Sequence, residues 1–239
     1  MTRFASFETP FDAVVIGATG GIGAAVCRLL HDDPGVGDVL ALSRSSEPRL
    51  DLTDETSIEA AAARAAQLPN LRLVFVATGL LHDGDSVQPE KALRHLAPDA
   101  MARNLAVNTI GPALVLKHFQ PLLPRDGKAV FAAISARVGS ISDNRIGGWY
   151  SYRASKAALN MILKCAAIEI GRTRKEQIML GLHPGTVDTG LSKPFQSNVP
   201  DGKLFSAEQS AGYMLDVIEG AKEDQSGNVI DWDGKTVPA

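Results

Sequence analysis

The chain has 239 residues, of which 45% are hydrophobic, and its 24 Lys and Arg against 27 Asp and Glu give a formal net charge of −3. That length suits one large domain with a hydrophobic core, two cysteines are too few for a disulfide scaffold, and the weak acidic charge offers no basic stripe for nucleic acid. With no signal-like leader and no apolar run of about 18 residues, we expect a cytoplasmic protein with no membrane partner.

Short β-branched segments alternate with longer Ala- and Leu-rich segments of helical period. This order predicts a single doubly wound α/β domain of Rossmann type, with a central parallel sheet and helices on both faces. The predicted strands are Ala13–Ile16, Val39–Leu42, Arg72–Ala77, Lys128–Ile134, Gln177–Leu182 and Asn228–Trp232. The predicted helices are Gly21–His31, Thr56–Gln67, Asp99–Leu122, Tyr150–Thr173 and Ala207–Glu219. Two stretches resist assignment, Leu80–Pro98 and Gly190–Phe205, and we expect the second to be a substrate lid because long loops in compact domains tend to be functional.

A glycine-rich turn follows the first predicted strand. It reads Gly17-Ala-Thr19-Gly20-Gly21-Ile22-Gly23 and leads directly into a predicted helix. A turn without side chains lets the backbone approach a pyrophosphate, and the N–H groups at the start of the helix then face its negative charge. The spacing Gly-x-x-x-Gly-x-Gly differs from the commoner dinucleotide fingerprint, and any tight turn also needs glycine. The turn therefore indicates a dinucleotide site only together with motifs further along the chain.

The second predicted strand ends in Ser43 and Arg44. Folds that prefer NAD usually place a carboxylate here to bind the ribose 2′-hydroxyl, whereas a guanidinium suits a 2′-phosphate. The sequence therefore favours NADPH over NADH, although Glu47 would partly cancel the field of Arg44.

Tyr152 and Lys156 lie four residues apart at the start of a predicted helix, and so on one face. A phenol has an ordinary pKa of about 10, which is high for acid–base work at neutral pH. We expect the neighbouring ammonium to lower the pKa of Tyr152 toward the working range. Such a pair is also common on ordinary helix surfaces, so its weight comes from the other motifs. No histidines stand at metal-ligand spacing, and we expect no metal site.

Five motifs share the order and approximate spacing of one known family. They are the glycine turn, Asp51 at the end of a short predicted strand over 49–52, Asn108 in a mid-chain helix, the Tyr152–Lys156 pair, and Pro184-Gly185-x-Val187-x-Thr189. On these residues the chain resembles the short-chain dehydrogenase/reductase family. Within that family, the stretch 135–160 is similar to the C-factor and carbonyl-reductase group.

The resemblance implies an NADPH-dependent, reversible reduction of an aldehyde or ketone to an alcohol. Tyr152 would protonate the carbonyl oxygen, Lys156 would hold the nicotinamide ribose, and Asn108 would keep a water in the proton relay. Asp51 would accept from the adenine amino group. The resemblance further implies a homodimer or homotetramer formed through the helices of Asn108 and Tyr152. The cofactor contacts it implies are Gly17, Thr19, Gly20, Gly21, Ile22, Gly23, Ser43, Arg44, Asp51, Leu52, Ala77, Thr78, Gly79, Tyr152, Lys156, Pro184, Gly185, Val187 and Thr189.

The family's serine, which polarises the substrate carbonyl, has no direct counterpart. When the run Ile134-Ser135-Ala136-Arg137-Val138-Gly139-Ser140 is aligned on its glycine, the serine position holds Ala136. We expect Ser135 to supply the hydroxyl, with Ser140 or no hydroxyl at all as alternatives. The substitution and the C-factor resemblance also leave open a signalling or regulatory protein that binds the cofactor with little or no turnover.

Overall fold

The central sheet has six strands, all parallel, in a computed structural model that describes residues 2–84, 86–198, 200 and 202–239. In chain order the strands are β1 (Phe11–Ile16), β2 (Val36–Leu42), β3 (Leu71–Val76), β4 (Ala129–Ile134), β5 (Gln177–His183), β6 (Thr186–Val187), β7 (Leu204–Phe205) and β8 (Val229–Asp231). The sheet order is β2-β1-β3-β4-β5-β8, while β6 and β7 pair only with each other. The predicted doubly wound parallel sheet is therefore confirmed.

Helices cover both faces of this sheet. They are α1 (Gly21–His31), α2 (Glu55–Ala65), α3 (Pro98–Leu105), α4 (Gly111–Phe119), α5 (Tyr150–Gly171) and α6 (Ala207–Gly220). The predicted helix over 99–122 is in fact α3, a π-helical segment over Ala106–Ile110, α4 and a final 3₁₀ turn. The π-helical segment carries Asn108. Such segments often mark functional sites, because the extra residue in the turn re-aims the side chains.

Two hydrophobic cores flank the sheet. Along β1, Val14 and Ile16 pack into the core under α2, α4 and α5, whereas Ala13 and Val15 pack into the core under α1 and α6. This alternation follows from the two-residue period of a strand. Because both faces are covered, β1 and β3 are buried along their whole length, and apart from Asp12 and Arg72 their residues are all apolar.

Three features differ from the sequence expectations. Residues 49–52 form no strand; they are a loop in which the Leu50 N–H bonds the Ser43 carbonyl at 2.8 Å. The small β6–β7 sheet was not predicted, since two-residue strands leave no period to detect. The expected lid over 190–205 contains a 3₁₀ helix at Lys193–Asn198, but residues 199 and 201 and the side chains of 197 and 198 lie outside the described part.

None of the described helices is both long and apolar enough to cross a membrane.

Candidate active site

A cleft of about 500 Å³ opens at the carboxyl ends of β1, β2 and β3. Ligands of open α/β sheets bind at this end of the strands. The cleft is lined by many of the predicted cofactor residues: Gly17, Thr19, Gly20, Ser43, Arg44, Asp51, Leu52, Ala77, Thr78 and Gly79. Its other lining residues, which the sequence did not predict, are Ile16, Leu50, Thr53, Leu80, His82, Asp83, Arg103 and Val107.

The glycine turn packs too closely for side chains. Gly17 has a positive φ of 85°, and a Cβ there would lie 2.8 Å from the Ala77 carbonyl oxygen. A Cβ on Gly23 would lie 2.2 Å from the Gly17 carbonyl oxygen, and one on Gly21 would lie 2.7 Å from Thr189 Cγ2. Helix α1 then starts with no side chain capping it. The turn therefore presents bare backbone beside the N-terminus of a helix, which suits an anion.

Polar groups at the end of β2 form the far side of the cleft. Arg44 is exposed, and no ion pair joins it to Glu47 in the part of the chain that the structure describes. The Ser43 hydroxyl is 3.1 Å from the Ser45 hydroxyl and accepts from the Ser45 N–H, so it stays within its own loop. Asp51 accepts from the Thr53 N–H and hydroxyl, and these bonds, with the nearby cation of Arg49, lower the pKa of its carboxyl. Asp51 is therefore an ionised acceptor on the cleft wall.

The Pro184–Thr189 segment lies against the glycine turn. The Pro184 carbonyl accepts from the Ser210 hydroxyl of α6 at 2.8 Å, and Gly185 has a φ of 74°. Val187 is buried in β6, and Thr189 contacts the turn at Gly21. The last predicted motif and the first, more than 160 positions apart in the sequence, therefore share one edge of the site.

Tyr152, Lys156 and Asn108 converge beside Gly79. Lys156 is almost fully buried, and its Nζ donates to the Ile134 carbonyl at 2.8 Å. From a Cβ built on Gly79, Lys156 Nζ would be 3.7 Å away and Asn108 Oδ1 3.8 Å away. The Tyr152 ring centroid is 5.9 Å from Lys156 Nζ. A Cβ at position 79 would therefore make ordinary van der Waals contact with this group.

The Asn108 side chain is fully engaged with protein groups. Its Oδ1 accepts from the Leu80 N–H at 2.7 Å, and its Nδ2 donates to the Leu80 carbonyl at 2.8 Å and to the Ser155 hydroxyl at 3.0 Å. Asn108 thus ties the segment after β3 to helix α5.

Burial controls the protonation of the Tyr–Lys pair. It lowers the pKa of Lys156 to about 7, and it raises the pKa of Tyr152 above its ordinary value. The expectation that Lys156 lowers the pKa of Tyr152 is therefore wrong for this structure, because burial of the phenol disfavours its charged form. At neutral pH Tyr152 is a neutral phenol, which is the form that can donate a proton.

Ser135 is not brought to Tyr152. Its hydroxyl donates to Asn160 Oδ1 at 2.6 Å and is buried between β4 and α5. Ala136, the next residue, packs against the Tyr152 ring instead. The predicted role of Ser135 is therefore wrong, because neighbouring residues of an extended chain point to opposite sides and only one of the two can face the tyrosine. Ser140 accepts from the Asp143 N–H within its own turn.

Several residues around Tyr152 were missed by the sequence reasoning. Leu81, Val138, Trp149 and Phe195 join Ala136 and Tyr152 in one apolar cluster, which we call the Tyr152 cluster. These residues come from four separate segments, and no pattern in the sequence links them. Glu90, in the unassigned stretch 80–98, accepts from the Ser151 N–H at 3.1 Å and from the Ser151 hydroxyl, at the first turn of α5.

Metal-ligating side chains are scattered. Within the described ranges, no three or more His, Cys, Asp or Glu residues are grouped to hold a metal ion. Cys27 and Cys165 are both free thiols. His183 ends β5 beside Asp231, and burial lowers its pKa.

Comparison of the sequence and the structure with those of known proteins identifies relatives of this chain. A family model described as short chain dehydrogenase matches residues 12–200. The 1-hydroxy-2-glutathionyl-2-methyl-3-butene dehydrogenase of Rhodococcus sp. (strain AD45) is 31% identical over 231 residues, covering 92% of this chain and 96% of that protein. The C-signal protein of Myxococcus xanthus is 35% identical over 139 residues, covering 58% of this chain and 78% of its own. The crystal structure of NADPH-bound carbonyl reductase from chicken fatty liver superposes with a TM-score of 0.82 at 26% identity, covering 97% of this chain and 100% of that one.

Proposed function

Because the chain belongs to the short-chain dehydrogenase family and is thereby an NAD(P)-dependent oxidoreductase, we propose that it reduces an aldehyde or ketone to the alcohol with NADPH. One observation carries this proposal: Tyr152, Lys156 and Asn108 converge beside Gly79, at the edge of the glycine-lined cleft. The similarity to the NADPH-bound carbonyl reductase from chicken fatty liver supports the choice of cofactor.

Three observations indicate that the cleft can bind a dinucleotide. Side chains are excluded at Gly17 and Gly23, and the start of α1 lacks a side-chain cap. The Thr78 hydroxyl, which lines the cleft, is buried with no hydrogen-bond partner among the described residues. A buried hydroxyl without a partner costs free energy, so a polar ligand in the cleft would satisfy it.

We assign the preference for NADPH to Arg44. It stands on the cleft wall at the end of β2, where a 2′-phosphate would meet an exposed guanidinium. The Arg44→Ala variant should raise the KM for NADPH by about tenfold and leave that for NADH nearly unchanged. The NADPH effect should shrink as salt is added, because an exposed pair is screened. Equal effects on both cofactors would contradict this assignment.

When bound, the nicotinamide supplies the hydride that reduces the carbonyl carbon. Negative charge then grows on the carbonyl oxygen, and the neutral phenol of Tyr152 donates its proton to that oxygen. Lys156, with a pKa of about 7, is partly protonated at neutral pH and stands beside the phenol, so its ammonium stabilises the phenolate that remains. Asn108 fixes the segment after β3 against α5, and this keeps Tyr152 and Lys156 in position beside Gly79.

Ala136 removes one hydrogen-bond donor from this scheme. Losing one donor to a developing oxyanion typically costs about a hundredfold or more in rate. The enzyme should therefore be slower than relatives that carry the serine, with Tyr152 as the main donor to the oxygen.

The test combines binding and turnover on the purified protein. NADPH and NADH are titrated by fluorescence, and oxidation of NADPH is followed by absorbance with a panel of aldehydes, ketones and quinones. Tyr152→Phe should lower kcat by about a hundredfold or more while leaving NADPH affinity within twofold. Turnover that survives this substitution would contradict the role of Tyr152, and failure to bind either cofactor would contradict the whole proposal.

A second candidate is a signalling or regulatory protein that binds the cofactor with little turnover. Ala136, together with the 35% identity to the C-signal protein, favours it. Such a protein would bind NADPH tightly, show no oxidation with any member of the panel, and be indifferent to Tyr152→Phe. The same titration and panel therefore separate the two candidates.

We also propose that the chain forms a homodimer or homotetramer through the π-helical segment and α5. Ile110, Met161 and Ile168 are exposed apolar side chains on these elements. Exposed apolar patches on soluble proteins often mark interfaces. Light scattering should give at least twice the monomer mass, and Ile168→Glu should lower it; a monomeric wild type would contradict the proposal.

A further inference from the structure

Trp149 has an unusual backbone conformation. With φ 52° and ψ 41°, it is the one residue other than glycine that has a positive φ in the described part of the chain. Gly147 and Gly148 directly before it have φ values of 70° and 67°. Glycine adopts this left-handed region freely, whereas a bulky L side chain pays a steric penalty there. A third glycine would have satisfied the backbone at position 149.

Backbone contacts fix this conformation whatever the side chain. The Trp149 N–H donates to the Glu90 carbonyl at 2.6 Å. The guanidinium of Arg153 donates to the carbonyls of Gly148 at 2.9 Å and of Gly147 and Val138 at 3.2 Å each. None of these bonds uses the indole. The loop thus explains the conformation but gives no reason for a tryptophan.

The indole instead lies against Tyr152 and against the 3₁₀ helix Lys193–Asn198. Its ring centroid is 6.3 Å from that of Tyr152, with an interplanar angle of 73°. It is 5.2 Å from the ring of Phe195, with an interplanar angle of 63°. Phe195 belongs to the 3₁₀ helix Lys193–Asn198 and also meets the His82 ring, which in turn bonds the Gly190 carbonyl at 3.1 Å. The left-handed backbone therefore aims the indole between the tyrosine and this 3₁₀ helix.

The rest of the Tyr152 cluster is apolar. Leu81, Ala136 and Val138 complete it, and Ala136 occupies the place where the family has a hydroxyl. Apart from the phenol hydroxyl and the indole N–H, the side chains of the Tyr152 cluster offer no hydrogen-bonding or charged group to a ligand. Aromatic rings gain additional attraction when they meet other rings edge to face or offset.

Resting on the proposed reductase function, we propose that Trp149 is a specificity-determining residue. Its indole packs against the Tyr152 ring and, with Phe195, forms an aromatic wall next to that tyrosine. This wall selects carbonyl compounds that carry a flat apolar ring next to the carbonyl over saturated analogues of the same size. A residue that opposes local backbone preference is expected where the side chain serves the site rather than stability.

The experiment compares acetophenone with cyclohexyl methyl ketone, which has the same carbon skeleton with a saturated, puckered ring. Trp149→Gly removes the indole and keeps a residue that tolerates the left-handed backbone. Trp149→Ala removes the indole but retains the backbone penalty, and Trp149→Phe keeps an aromatic ring. Ile146→Ala, at an exposed site in the same loop, is the matched control. Melting temperature reports whether the loop keeps its fold.

For wild type, kcat/KM should be about tenfold or more higher for acetophenone than for cyclohexyl methyl ketone. Most of this difference should lie in KM. Trp149→Gly and Trp149→Ala should both reduce this ratio to near one, with NADPH affinity within twofold of wild type. Trp149→Phe should retain most of the ratio, and Ile146→Ala all of it. If Trp149→Gly kept the wild-type ratio, the proposal would be overturned, and so it would be if only Trp149→Ala lost the ratio together with melting temperature.

A binding measurement separates this proposal from the reductase function itself. Calorimetric titration of each ketone into the protein with NADP⁺ cannot be confounded by reduction, because no hydride is available. Tighter binding of acetophenone that Trp149→Gly abolishes would support the aromatic wall even if wild type reduced neither ketone, in which case the proposed reductase function alone would fail. If wild type reduced both ketones and bound them with equal affinity, the reductase function would be supported and the proposed aromatic wall would be contradicted.

Discussion

The two halves of the site are built in different ways. The cofactor half consists of the glycine turn, the ends of β2 and β3 and the Pro184–Thr189 segment, and it works largely through backbone and turn geometry. The substrate half is the Tyr152 cluster, which consists of side chains from four loops and helices. Glycine turns have a local sequence signature because a missing Cβ is itself the requirement. Side chains that meet only in three dimensions have none.

The two halves also differ in how well they tolerate substitutions. In the cofactor half, a methyl group added at Gly17 or Gly23 would collide with backbone, which cannot move aside. In the substrate half the neighbours are mobile side chains, so substitutions should change specificity before they change the fold. The following predictions test this difference.

The largest effect should come from Gly23→Val. A Cβ at this position would lie 2.2 Å from the Gly17 carbonyl oxygen, so the turn must shift. We expect a loss of about 3 kcal/mol of stability or more and no measurable NADPH binding. The control is Gly212→Ala in α6, where a Cβ meets nothing closer than the Arg3 guanidinium at 3.8 Å. A Gly23→Val protein that bound NADPH normally would show that the cofactor half is not rigid.

Lys156 should make stability depend on pH. Its pKa is about 7 in the folded protein and 10.5 when unperturbed, so between these values the unfolded chain binds more protons. The free energy of unfolding should therefore rise with pH from about 7 to 10, by at most about 1.4 kcal/mol per pH unit from this group. Denaturant titrations of wild type and Lys156→Met should differ in this slope. The exposed Lys164→Met on the same helix should match wild type; an equal slope in Lys156→Met would contradict burial as the cause.

Substitution of Glu90 tests whether one long-range contact holds the substrate half in place. Its buried carboxylate accepts from Ser151 at the start of α5, one residue before Tyr152. Glu90→Ala should lower stability by about 1–3 kcal/mol, because the Ser151 N–H loses its acceptor and the helix N-terminus loses a negative charge. We expect kcat to fall with NADPH affinity maintained. The exposed Glu59→Ala on α2 is the control, and no loss of melting temperature relative to it would refute this anchor.

Ala136→Ser should give the smallest effect, and a gain. The new hydroxyl would project toward Tyr152, where the family places its serine, and kcat should rise by about tenfold. Ala63→Ser on the surface of α2 should leave kcat unchanged. An unchanged or lower kcat in Ala136→Ser would mean that the substrate half has adapted to work without this donor.

The sequence predicted the fold well because its signals are periodic or local. The strands β1, β3, β4, β5 and β8 were identified within two residues at each end, since each is a short apolar run between turns. The short strand over 49–52 was wrong, because four residues carry too little pattern to separate a strand from an extended loop.

For the site, Gly79, Asn108, Tyr152 and Lys156, which the sequence assigns to one site, lie together in the structure. The sequence-based assignment failed for Ser135, because the choice between adjacent residues depends on which way the chain turns at the end of β4. It also gave the wrong sign for the pKa of Tyr152, since the degree of burial is a property of the folded protein.

By itself, then, the sequence determined the parallel α/β architecture, the glycine turn and the Tyr152–Lys156 pairing, because strand and helix periods, missing side chains and four-residue spacing act over short distances. Only the tertiary structure decided that Ala136 rather than Ser135 faces the tyrosine, that Glu90 anchors α5, and that Trp149 packs against both Tyr152 and Phe195. Those contacts join residues tens of positions apart, and their geometry exists only once the sheet, the helices and the loops are packed together.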